Sequence, residues 1–234
     1  MEKFMEHLES KTLKQELFKT AVVIKQFTNL PEDFNRVLSG LMMAKLHELD
    51  EAPGTKEGYQ KAGNIDAHIF DIEDSDYVKM LQQMFSESFK ELFDHFHSEQ
   101  DADISDCILS CSRITVMREG DFKRLHTHSG TDAYGIYYVD VGEAGSENGV
   151  LELEDPKMLQ KLTFTEEPIV RVTPQESMMV VAPSYIRHRV TPYSGQRERI
   201  AIVCNLILKD DENIEDILSE KTKQNDLGLK MKNL

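Results

Sequence analysis

Apolar positions along the chain change their period once, near Cys107. Before that point they recur every three to four residues, and after it they alternate or gather in short β-branched blocks. Residues 2–18 set Phe4, Met5, Leu8, Leu13 and Leu17 among charges, which predicts a loosely amphipathic helix. Residues 20–28, with Val22, Val23 and Ile24, predict a strand joining a sheet edge. Asn29-Leu30-Pro31-Glu32-Asp33 then supplies a helix start, with Pro in the first turn and carboxylates near the positive end of the dipole. Phe34, Val37, Leu38, Leu41, Met42 and Leu49 carry that helix on to a stop before Pro53 and Gly54. Residues 52–66 have no period and predict a loop. Ser75 caps the next helix, whose stripe of Tyr77, Val78, Leu81, Met84, Phe85, Phe89, Leu92, Phe93 and Phe96 reads as a packing face. His95 and His97, at its end, take a solvated or capping role.

From Cys107 the side-chain period is two. Residues 107–119 alternate around Leu109, Cys111, Ile114 and Val116, and Gly120 with Asp121 turns them. Further strands are predicted at 133–141, 150–154, 169–173, 177–182, 188–191 and 199–208, most of them separated by Gly or Pro turns. Short strands at this spacing argue a sandwich or jelly roll. The expected fold class is α+β but mainly β: a double-stranded β-helix, a jelly-roll or cupin-like barrel, with N-terminal helices packed on it. The chain divides into an N-terminal helical region with an edge strand (1–104), the β core (105–209) and a charged tail (210–234) with one weak amphipathic segment.

Composition narrows the function. The 234 residues carry a formal charge of −15, so a nucleic acid would be repelled and no basic run offers it a footing. The three cysteines, Cys107, Cys111 and Cys204, lack metal-site spacing and read as buried thiols in a reducing compartment. The N-terminus is too charged for a signal peptide, and no apolar run is long enough for a bilayer. A soluble cytoplasmic protein, monomer or homodimer, without nucleic-acid or membrane partners, is expected.

The candidate chemistry lies in histidines. His126 and His128 stand two apart at the start of a strand, so both project from one face, and His188 begins a strand elsewhere in the same sheet system. Imidazole suits iron, and three protein ligands with open positions are how an iron(II) centre binds a cosubstrate and dioxygen together.

At these residues the chain resembles the 2-oxoglutarate and iron(II)-dependent oxygenases, in particular their small prolyl-hydroxylase-like and bacterial or phage branch. The resemblance covers about residues 105–207. It is carried by His126-Thr127-His128, Tyr134-Gly-Ile-Tyr-Tyr-Val139, Gly149 through Pro156, Val172 through Ser184, His188-Arg-Val-Thr-Pro192 and Arg199-Ile-Ala-Ile-Val-Cys-Asn205. It implies His126 as the first iron ligand and His188 as the distal one. It also implies Arg199 as the group that holds the far carboxylate of 2-oxoglutarate, with Tyr138 beside it. A planar guanidinium pairs with a carboxylate in two-point fashion, which suits a buried pocket. Tyr137 is a rival for Tyr138, and Arg197 for Arg199.

Most of that superfamily has an acidic residue where this chain has His128. Either His128 is the third ligand, or a carboxylate such as Asp132 takes that place. An all-imidazole set leaves charge compensation to the dianionic cosubstrate, and a bulky imidazole opens no halide site. The implied reaction couples decarboxylation of 2-oxoglutarate, to succinate and carbon dioxide, with hydroxylation of a C–H bond in an amino-acid, peptide or small-molecule substrate. Residues 52–66 and the 142–148 turn are the expected substrate contacts. The competing reading is a cupin-like metal or small-ligand binding protein without turnover.

Overall fold

A computed structural model describes residues 20–48, 63–65, 69–72, 74–96, 107–156 and 169–208. The expected helix at 2–18, the tail from 210 and most of the 52–66 segment lie outside them, as does His97. Two α-helices, α1 (Phe34–Glu48) and α2 (Asp76–Phe96), and one 3₁₀ turn (Ile69–Asp71) precede most of the strands. The strands are β1 (Val23–Gln26), β2 (Gly63–Ile65), β3 (Cys107–Met117), β4 (Lys123–His126), β5 (Ala133–Asp140), β6 (Leu151–Glu154), β7 (Ile169–Val172), β8 (Met178–Pro183), β9 (His188–Val190) and β10 (Arg199–Leu208).

They form two antiparallel sheets in a jelly-roll arrangement: six strands in the order β1-β8-β5-β10-β3-β2, and four in the order β4-β9-β6-β7. β1 sits at the large sheet's edge as expected. β2 is a strand where a loop was expected; it pairs with β3 through Gly63↔Val116 and Ile65↔Ile114. β4 was also unanticipated. A bend at Gly120, whose φ is +85°, and the Asp121 carboxylate, which accepts from the Arg118 amide at 2.7 Å, turn β3 into it.

β5 explains the layering. Its residues are buried on both faces, which gives a nearly unbroken apolar run. Ala133, Tyr137 and Val139 face the helices, whereas Tyr134, Ile136 and Tyr138 face the space between the sheets. Val78, Leu81, Phe85, Phe89 and Leu92 of α2 are fully buried among the first group. Each such side chain contributes about 1.5–3 kcal/mol by leaving water, enough to hold a helix that alone is marginal. Gly135 lets α2 settle: a Cβ there would lie 2.8 Å from Phe85 Cε1 and 3.4 Å from Phe89 Cζ. Ser75 caps α2 as expected, its hydroxyl accepting from the Val78 amide at 3.4 Å. The helices thus occupy the outer face of the large sheet, and the inner face is kept for the cavity.

Candidate active site

Two neighbouring strands of the small sheet bring His126 and His188 together. β4 and β9 run antiparallel with these two residues directly opposed, so their side chains share a face. The ring centroids are 4.3 Å apart. His126 closes β4 rather than opening a strand, and His128 lies just beyond it. There the His128 amide donates to Ser184 O at 3.2 Å and Thr131 Oγ1 donates to His128 O at 2.9 Å. The rings of His128 and His188 are 5.1 Å apart, and one ligand atom from each of the three histidines lies within 4.8 Å of the others. Tyr134 stacks on both, at 4.5 Å from His128 and 4.2 Å from His188.

Hydrogen bonds set the tautomers. His126 Nδ1 faces Arg124 O at 2.7 Å, His188 Nδ1 faces Ile186 O at 3.1 Å, and His128 Nδ1 faces Asn205 Oδ1 at 2.7 Å. Oxygens of this kind only accept, so each Nδ1 carries its proton and each Nε2 presents a lone pair. His128 Nε2 is buried with no hydrogen-bond partner. Burial disfavours the imidazolium form at all three, bringing His128 down to about 4 and His188 to about 3, so the rings are neutral donors at neutral pH. Three neutral nitrogens with second-side anchors and an orphaned buried atom fit a metal ion.

Asn205 has no role in the sequence reading, yet its side chain accepts the hydrogen bond that orients the His128 ring. Asn205→Leu strips the acceptor from that buried N–H. Metal affinity is expected to fall by about 10–100-fold, read by anaerobic titration with cobalt(II); an unchanged affinity would deny Asn205 this role.

At the far end of the same cavity, of about 280 Å³, lies Arg199, only 2% exposed. One guanidinium nitrogen donates to Met117 Sδ at 3.3 Å, and Nε has no partner. Its Cζ sits 5.0 Å from the Tyr138 ring centroid, and the Tyr138 hydroxyl is likewise buried without a partner. A thioether is a weak acceptor. These orphaned donors fit a carboxylate. Lys123 lines the cavity too, donating to Thr115 Oγ1 at 3.1 Å; burial, then the charges of Arg199 and Arg113, bring its ammonium down to about 7.

The alternatives left open by the sequence find other places. The Asp132 carboxylate accepts from the Leu208 amide at 2.8 Å and is not in the histidine group. Tyr137 points to the helices and donates to Asn35 Oδ1 at 2.7 Å. Arg197 is on the surface with Asp140, at 2.9 Å. The 142–148 turn does not border the histidines: the Glu143 amide donates to Tyr193 Oη, and Gly149 lies against Arg199 Cδ, so this turn sits at the Arg199 end. Lys123, Thr115, Arg113 and Tyr134 join the cavity or its wall unanticipated.

Residues 112–205 match the family model described as "Putative 2OG-Fe(II) oxygenase". No curated protein matches the chain by sequence. Among solved structures, the chain is similar in fold to a prolyl-4-hydroxylase of Pseudomonas putida, at 15% identity and TM-score 0.52, covering 82% of this chain and 94% of that one. AviO1 of Streptomyces viridochromogenes Tue57 is similar at 15% identity and TM-score 0.53, with 80% and 90% covered. SnoK, a non-heme alpha-ketoglutarate-dependent carbocyclase from nogalamycin biosynthesis, is similar at 10% identity and TM-score 0.57, with 82% and 81% covered. The matched segment, residues 112–205, is therefore similar to the 2-oxoglutarate and iron(II)-dependent oxygenases, and the solved structures share its fold. The description of that family names 2-oxoglutarate and iron(II), and the three histidines form a group that could hold a metal ion. Among the described residues no helix is long and apolar enough to cross a membrane.

Proposed function

We propose that this protein is a dioxygenase hydroxylating a C–H bond of an amino-acid, peptide or small-molecule substrate, with His126, His128 and His188 as the iron ligands. The observation that carries this is the convergence of one ring nitrogen from each of three histidines in a cavity that also holds a buried guanidinium. Arg199 and Tyr138 receive the far carboxylate of 2-oxoglutarate. Bound iron(II) supplies the redox chemistry, in which 2-oxoglutarate and dioxygen are consumed and succinate and carbon dioxide released.

The chain's own residues bind and orient. Tyr134 and the three Nδ1 anchors hold the imidazoles in place, so that little reorganisation is needed when ligands arrive. Arg199 fixes the diacid's far end and keeps its other end at the imidazoles. The apolar wall of Ile136, Val190 and Ala201 limits water. Residues 107–208 carry all of these groups, with α1 and α2 packed behind them. A reducing cytoplasm suits both iron(II) and the buried Cys204 thiol.

A cupin-like protein that merely holds a metal has no task for a guanidinium buried at this depth, and Arg199 favours the oxygenase. Anaerobic addition of iron(II) and then 2-oxoglutarate is expected to raise a visible metal-to-ligand charge-transfer band. A protein that stays colourless with both would remove this reading.

A further inference from the structure

We propose that the C-terminal segment of this chain docks on its own body, seating Ile214, Ile217 and Leu218 in an apolar groove between the end of α2 and the turn at Pro183–Tyr185. This seat does not depend on the metal assignment.

The groove has a volume of about 310 Å³. Leu92 and Phe93 of α2 make its buried side, and Phe96 and Tyr185, at 37% and 51% exposed, make its open side. Single apolar side chains on a surface are ordinary, but two at one recess mark a place that takes an apolar partner. Leu208 lines the same groove, and β10 ends with it. The chain therefore leaves the body from the groove's own wall.

Residues 209–220 hold three apolar side chains, Ile214, Ile217 and Leu218, among acidic and other polar ones. Spacings of three and four put them on one face of a helical turn, the pattern by which an amphipathic segment fills an apolar groove. Six residues separate Ile214 from Leu208, a reach of at most about 20 Å, against about 6 Å from Leu92 to Phe96 along α2. A tether that short holds the segment at an effective concentration on the order of millimolar, which favours it over a free partner. The other neighbouring stretches fit less well. Residues 97–106 continue from Phe96 but bring only Ala102 and Ile104 as apolar side chains, and residues 1–19 enter through β1, which β8 separates from β5 and β10.

The groove also adjoins the loop that carries His128. The His128 amide donates to Ser184 O at 3.2 Å, the Ser184 amide to Asp132 O at 2.9 Å and the Leu208 amide to the Asp132 carboxylate at 2.8 Å. Ser184, Asp132 and Leu208 all line the groove. A seated segment shields these bonds from water and ties the end of β10 to the loop, so it acts as a strap on the position of His128.

The chain has no tryptophan, so Ile217→Trp and, separately, Leu218→Trp in the full chain each supply a single reporter. Emission is expected to be blue-shifted and shielded from acrylamide, at every protein concentration. Phe96→Glu and Tyr185→Glu, both at exposed positions, are expected to shift it to the red and open it to the quencher. Ile214→Ser, Ile217→Ser and Leu218→Ser combined are expected to speed hydrogen exchange of the His128 amide, with far-UV circular dichroism unchanged. Reporters that are both red and open from the start overturn the docking, and so do shielded reporters that ignore Phe96→Glu and Tyr185→Glu. Loss of the blue shift on dilution overturns it in favour of a second copy's tail. A Leu8→Trp reporter that answers to the two groove substitutions where the C-terminal reporters do not overturns it in favour of the N-terminal segment. Unchanged exchange at His128 overturns the strap.

Discussion

His188→Ala is expected to lose iron(II) and, with it, the charge-transfer band. His188 is the most buried of the three histidines and the one directly opposed to His126 across the β4–β9 ladder. Its Nδ1 faces Ile186 O, which leaves Nε2 as the nitrogen with a lone pair for a metal. Loss of an outer hydrogen bond to a ligand costs about 10–100-fold in metal affinity, and loss of the ligand itself should exceed that range. An anaerobic titration followed by absorbance and by a chelator competition measures it. Far-UV circular dichroism separates metal loss from unfolding, since the backbone pairing of β9 does not depend on the imidazole. A variant that still binds iron with parental affinity would show that the metal sits elsewhere.

Arg199→Gln should leave the metal in place and weaken 2-oxoglutarate. The guanidinium is buried against Tyr138 and Met117, where water cannot replace it as a partner for a carboxylate. Truncating one side of a buried, hydrogen-bonded charge pair costs about 2–5 kcal/mol, or roughly thirty-fold to several thousand-fold in the dissociation constant. Arg199→Lys is the sharper variant. It keeps a charge but not the planar fork, so an intermediate loss is expected. The dissociation constant for 2-oxoglutarate, read from the band at fixed iron, reports both. A value unchanged in Arg199→Gln would assign the far carboxylate to another group, with Lys123 the nearest cation.

These effects depend on features that the sequence displays to different degrees. The α2 stripe was legible because its period is long and consistent, the β5 run because it is a nearly unbroken apolar block bounded by polar residues, and the His-x-His spacing because two imidazoles recur at close range. β4 was not: Lys123-Arg124-Leu125-His126 mixes a buried lysine with exposed Arg124 and Leu125, so no alternation marks it. β3 misled in a different way. Ile114 and Val116 face the helices, and the intervening Arg113 and Thr115, which a two-period reading assigns to solvent, line the cavity instead. Polar positions inside a jelly roll look the same in sequence as polar positions outside it. The placement of His128 and Asp132 was equally closed to the sequence, because it is set by Asn205 and the Leu208 amide, each more than seventy residues away.

The three imidazoles do not belong to one layer. His126 and His188 ride on the four-stranded sheet, while His128 is tethered by Asn205 to the six-stranded one. A cation shared among them would act as a rivet through both leaves of the sandwich, and any breathing that parts the leaves would also pull the third nitrogen away. Catalytic competence would thereby be tied to mechanical closure: a loosened molecule would be disarmed before it is unfolded.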